Sequence, residues 1–114
     1  MKLPRAVQKA AKAALDKKAE EVAVLDLRKG SAFTDYFVLA SGTSQRQIVA
    51  IADAVQEAMR AEELRPKHVE GYPRQEWILL DYGDFVVHVM TPKSRAFYDL
   101  ERLWGGSLRL EVTG

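Results

Sequence analysis

The chain has 114 residues, 47% apolar and 29% charged, with a net charge of +1. That composition predicts one globular domain over 1–114 and provides no global field for nucleic acid. The absence of cysteine excludes a disulfide framework, a cysteine-ligated metal and a thiol nucleophile, and no apolar run has the length of a membrane span or the setting of a signal peptide. A soluble, cytoplasmic protein is the expectation.

The charges are not evenly spread. Met1–Lys18 carries Lys2, Arg5, Lys9, Lys12, Lys17 and Lys18 against Asp16 alone. Glu76–Glu101 carries Glu76, Asp81, Asp84, Asp99 and Glu101 against Lys93 and Arg95, so this stretch suits a basic partner.

In chain order, Pro4 suits a first helical turn, and Leu3, Val7, Ala10, Ala11, Ala14 and Leu15 follow helical spacing. The pattern predicts an amphipathic helix over roughly Pro4–Lys18 with lysines on its outer face. An RNA contact is one reading of those lysines, and a solvated helix face is the preferred one. Val22–Leu27 reads as a strand, Arg28–Asp35 as a connection and Tyr36–Ala40 as a strand buried on both faces. Ser44 with Gln47 forms a capping box. Ile48, Ile51, Ala52, Val55, Ala58 and Met59 then make the apolar stripe of a helix that runs to about Leu64, before Pro66. Strand, small polar turn and helix N-terminus is also phosphate-binding geometry. Ser41–Ser44 has one glycine, however, and ordinary capping accounts for its residues.

Lys67–Glu70 is a short predicted strand and Gly71–Gln75 a polar loop. Glu76–Met90 then reads as a hairpin, two β-rich runs around a Tyr82-Gly83 turn. A two-residue turn there sets Asp81 opposite Asp84, Leu79 opposite Val86 and Trp77 opposite His88. Alternation places Ile78, Leu80, Phe85, Val87 and Val89 on a core face, and Trp77, Leu79, Asp81, Asp84, Val86 and His88 on the other. Thr91 caps a helix with Pro92 in its first turn, and Phe97, Leu100 and Trp104 share the face that should pack inward. Gly105-Gly106 ends that helix, and Ser107–Gly114 has weak strand character. The order predicts an α/β (α+β) fold, a mixed five-stranded sheet flanked by helices. Tyr36–Ala40 and Lys67–Glu70 should run parallel, joined by a right-handed crossover through the long helix.

Little of this suggests catalysis. Metal-dependent nucleotidyl transfer needs two or three converging carboxylates. Asp81 and Asp84 flank a turn, with Glu70 the one plausible third. His68 and His88 have neither ligand spacing nor a nucleophile motif beside them. Trp77 shares its face with two aspartates, the usual make-up of a binding hot spot.

Three ordered stretches resemble a known family. Asp35-Tyr36-Phe37-Val38-Leu39-Ala40-Ser41-Gly42-Thr43-Ser44 with Arg46-Gln47 is similar to its first motif. His68, Glu70-Gly71, Trp77–Asp84 and Val86–Val89 are similar to its second, and Arg95, Tyr98-Asp99-Leu100-Glu101 and Leu103-Trp104 to its third. The family is the ribosomal silencing factors (RsfS, Iojap-like), and the resemblance spans about Ala19–Trp104. Phe97 stands where the family often has tyrosine. The resemblance implies a nucleotidyltransferase-like fold without transferase activity or cofactor. It also implies binding to the large ribosomal subunit through ribosomal protein fourteen, a block on small-subunit joining that lowers translation when nutrients are scarce, and homodimers. With the hairpin face it gives one expected contact surface: Trp77, Asp81, Asp84, His88, Tyr98 and Glu101. A small metal-dependent nucleotidyltransferase and an RNA-binding module are the alternatives.

Overall fold

The structure is a computed structural model that describes residues 3–29 and 33–100, together with the backbone of 108–111. Helix α1 (Arg5–Asp16) starts after Pro4, whose carbonyl accepts the first helical bond from Gln8 N at 3.1 Å. It buries Val7, Ala10, Ala11, Ala13 and Ala14 and turns its lysines outward. Strand β1 (Glu20–Asp26) is followed by β2 (Tyr36–Ser41), and the pair is antiparallel. All six residues of β2 are buried, as its unbroken apolar run requires.

Helix α2 (Gln45–Ala61) is capped by Ser44, whose hydroxyl accepts from Gln47 N at 3.0 Å. The Gln47 carboxamide closes the rest of the turn. Its oxygen accepts from Thr43 N at 2.7 Å, and its nitrogen donates to the Lys18 carbonyl at 3.0 Å, tying the end of α1 to the start of α2. The turn with phosphate-binding geometry is thus occupied by its own cap.

Three strands follow: β3 (His68–Glu70), β4 (Trp77–Asp81) and β5 (Phe85–Met90). Helix α3 (Pro92–Tyr98) and strand β6 (Leu108–Glu111) complete the chain. The sheet order is β3-β4-β5-β2-β1-β6, with β2 and β5 parallel neighbours and every other pairing antiparallel. The mixed sheet flanked by helices is as the sequence predicts, with β6 added. This sixth strand lies antiparallel to β1, Leu110 opposite Val24, in the tail where the sequence shows only weak strand character. Strands β2 and β3 run in the same direction, but β5 and β4 lie between them.

The core lies between the sheet and helices α1 and α2. Val24, Val38, Ile78, Leu80, Val87 and Val89 meet Ile48, Ile51, Val55 and Met59 there. Each such side chain contributes roughly 1.5–3 kcal/mol relative to exposure. A second cluster, Leu25, Leu27, Phe37, Leu39 and Val86, occupies the opposite sheet face, with Leu79 and Leu100 packed against it. Among the described residues no helix is long and apolar enough to cross a membrane.

Two predicted details differ. In the hairpin, Asp81 lies opposite Val86, Leu79 opposite His88 and Trp77 opposite Met90. The loop is Gly83-Asp84, closed by Tyr82 N donating to the Phe85 carbonyl at 2.9 Å. A Tyr82-Gly83 loop would force a positive φ onto tyrosine. With the loop one residue later that conformation falls on Gly83, at φ 89°. The pairing moves by two residues, so every partner changes and every face is kept.

The second difference is at α3. It ends at Tyr98, because Asp99 is left-handed at φ 46°, so Phe97 and Leu100 do not share a helical stripe. Leu100 packs against the second cluster, whereas Phe97 is 80% exposed rather than packed inward. Trp104, the third member of that stripe, lies outside the described residues.

Candidate partner-binding site

On the face of the sheet away from α1 and α2, alternation along β4 and β5 brings Trp77 and His88 together. They are diagonal neighbours across the ladder, within reach of aromatic side chains. Trp77 Nε1 donates to His88 Nδ1 at 3.0 Å. His88 is only 3% exposed and meets Phe37 edge to face at 4.5 Å between centroids. On the other side of Trp77 lies Tyr98, at 4.7 Å, and Phe97 stands edge-on to Tyr98 at 5.0 Å. Phe33 extends the array from the far end, 6.3 Å from Phe37. Six rings therefore run across this face. The four interior rings are buried or partly covered, and the ends are open: Phe33 is 73% and Phe97 80% exposed.

Burial pushes the His88 imidazole down from 6.5 to about 4, so it is neutral at physiological pH. Because Nδ1 accepts the indole proton, the ring hydrogen sits on Nε2. That nitrogen is buried and has no hydrogen-bond partner among the described residues. His88 thus supports Trp77 from beneath and is not itself a surface contact.

The acidic residues lie at the hairpin tip. Asp81 is four residues along β4 from Trp77, roughly 13 Å away at strand rise. Its Oδ1 accepts from Gly83 N at 2.8 Å. Asp84 is exposed on the turn. Lys67 reaches over Gly83, so the tip carries one cation beside its two carboxylates. The structure brings Trp77, His88 and Tyr98 into one cluster and sets Asp81 and Asp84 at its margin; Glu101 lies outside the described residues.

Sequence reasoning missed Phe33 and the exposure of Phe97. A large apolar residue in the otherwise polar, charged Arg28–Asp35 connection was the available signal for Phe33. No such signal marks Phe97, because its exposure follows from the left-handed residue two positions on.

The geometry does not assemble the alternatives. Asp81 and Asp84 do not face each other across the ladder, and among the described residues no three His, Asp or Glu side chains are grouped to hold a metal ion. The lysines of α1 lie on the opposite side of the sheet from Trp77. Arg5 there is paired with Glu62 at 2.7 Å, and Lys12 approaches Asp16 at 3.5 Å.

A family profile described as "Ribosomal silencing factor during starvation" (RsfS) matches residues 1–113. The chain belongs to the RsfS family. It is 39% identical over 108 residues to the ribosomal silencing factor RsfS of Halalkalibacterium halodurans, a match covering 95% of this chain and 92% of that one. A crystal structure of a Chromobacterium violaceum protein superposes with a TM-score of 0.87 at 35% identity, covering 100% of this chain and 95% of the other. More distant is the mouse protein "Mitochondrial assembly of ribosomal large subunit protein 1", 33% identical over 89 residues, which are 75% of this chain and 39% of the mouse protein. Its relatives are thus named for ribosome silencing and ribosome assembly, and none of these names denotes an enzyme.

Proposed function

We propose that this chain represses translation in the cytoplasm by binding the large ribosomal subunit through ribosomal protein fourteen, on the intersubunit face. The small subunit then cannot join. The mechanism is steric and needs no cofactor or turnover. One observation carries the reading: exposed aromatic rings, backed by a fixed Trp77–His88 pair, beside an acidic hairpin tip. Rings of this kind make binding hot spots, and acidic groups complement the basic surfaces of ribosomal proteins. The family's description ties it to starvation, and the mouse relative's name ties that protein to the large subunit. The same apolar rings, when not covered by the ribosome, suit a second copy of the chain, and a homodimer is part of the proposal.

The test is co-sedimentation with separated subunits. Trp77→Ala combined with Asp84→Lys should weaken large-subunit binding by roughly 30-fold or more, with circular dichroism confirming the fold. A folded double variant that pellets at wild-type affinity would place the contact elsewhere.

A further inference from the structure

Helix α3 has seven residues, and Arg95 is the one that is buried. Its Nη1 donates to the Glu21 carbonyl at 2.7 Å and to Ser41 Oγ at 2.9 Å, so one guanidinium on α3 grips both β1 and the end of β2. The carbonyl is available because β1 is irregular there. Between Glu20 and Ala23 the strand advances three residues while β2 advances two, and Glu21 is left-handed at φ 49°. A bulge of this kind leaves its extra residue outside the ladder and re-aims its backbone groups. A buried guanidinium is tolerated only with such acceptors, and here the two hydrogens of Nη1 serve one acceptor on each strand.

The backbone of Arg95 completes the arrangement. Its N–H bonds to the Thr91 carbonyl, and its carbonyl accepts from Asp99 N, closing the helix directly after Tyr98. Tyr98 is the ring that covers Trp77.

From this geometry we infer that Arg95 is a positioning residue for partner binding. By clamping α3 to the β1 bulge and the end of β2, it sets Tyr98 against Trp77 and so fixes the exposed end of the aromatic array. Substitution of Arg95 disorders that end of the surface while the sheet and its helical core persist. The inference rests on the proposed function only for where the surface is used. The positioning itself is a property of the free protein.

Two readouts separate these. In a Trp104→Phe background, where Trp77 is the only tryptophan, Arg95→Met should shift its emission to the red and raise its quenching by acrylamide, because Tyr98 leaves the indole. Ser41→Ala, which removes one acceptor, should move both in the same direction by less, and it serves if Arg95→Met does not fold. Unchanged emission in folded variants overturns the positioning.

The second readout is a double-mutant cycle for large-subunit binding. Arg95→Met should weaken it roughly tenfold in the wild-type background and less than about twofold in Tyr98→Ala, since the arginine acts through that ring. A merely structural role predicts equal losses in both backgrounds, and equal losses overturn the inference. Trp77→Ala is measured alongside. If it binds normally, the proposed function falls while the fluorescence result still decides the positioning. If it loses binding and folded Arg95→Met does not, the inference alone fails.

Discussion

The Trp77–His88 pair makes stability depend on pH in a calculable way. The imidazole is buried, it already accepts a hydrogen bond at Nδ1, and its pKa lies near 4 against 6.5 for a free side chain. Protonation would place a hydrogen on Nδ1, facing the indole N–H. The unfolded chain therefore binds a proton more readily than the native one, and stability is lost as the pH is lowered. The loss begins as pH drops below 6.5 and levels off below about 4. Fully expressed, it amounts to about 3 kcal/mol, and at pH 5 to about 2 kcal/mol relative to pH 7.5. His88→Phe keeps a ring against Phe37 and removes the titration. Urea unfolding of both proteins at pH 7.5 and 5, followed by circular dichroism, isolates the group, because the remaining carboxylates contribute to both. The wild type should lose about 2 kcal/mol more than the variant between the two pH values. Equal losses would mean that His88 titrates alike in the folded and unfolded chain, and the burial argument would fail.

Glycine placement gives a second test. A Cβ on Gly71, at φ 97°, would overlap the Trp77 carbonyl oxygen, so Gly71→Ala must displace the backbone that carries Trp77. It should cost more than about 2 kcal/mol in thermal unfolding, whereas Gly42→Ala, which needs no positive φ and meets Ile48 at 3.1 Å from its side chain and 3.3 Å from its backbone N, should cost less. Equal costs would refute the close approach. For the proposed homodimer, light scattering at micromolar concentration should report twice the chain mass. A monomer mass across the range would leave the aromatic face to the ribosome alone.

The sequence made the faces of the sheet legible and left their partners open. Alternation in Trp77–Asp81 and Phe85–Met90 separates core from outer face correctly, because that depends only on the period of a strand. The pairing register depends on which loop residue accepts a positive φ, and that choice excludes tyrosine where a simple count of loop residues does not. The N-terminus of α2 was readable from Ser44 and Gln47. The end of α3 was not, because Asp99 adopts the left-handed conformation usually signalled by glycine. The bulge at Glu21 is unmarked for the same reason. Pairing of β6 with β1 joins residues 82 to 88 positions apart, which no local pattern encodes. Arg95 reads as one more cation until the fold brings Glu21 and Ser41 to it.

The two faces of the sheet are finished differently, and the difference bears on what this protein does. Toward α1 and α2, β4 contributes Ile78 and Leu80, fully buried, while its alternate residues Trp77, Leu79 and Asp81 are only half-covered. The rings there are nevertheless held: Trp77 by a hydrogen bond to a buried histidine, and Tyr98 by contact with Trp77 on a helix clamped through Arg95. Side chains ordered before a partner arrives lose little rotamer freedom on binding, so more of the contact energy appears as affinity. A catalytic surface would need carboxylates or nucleophiles brought together, and here Asp81 instead caps its own turn. The structural effort on this face goes into fixing aromatic rings at a partly open surface, which is the arrangement the proposed partner binding calls for.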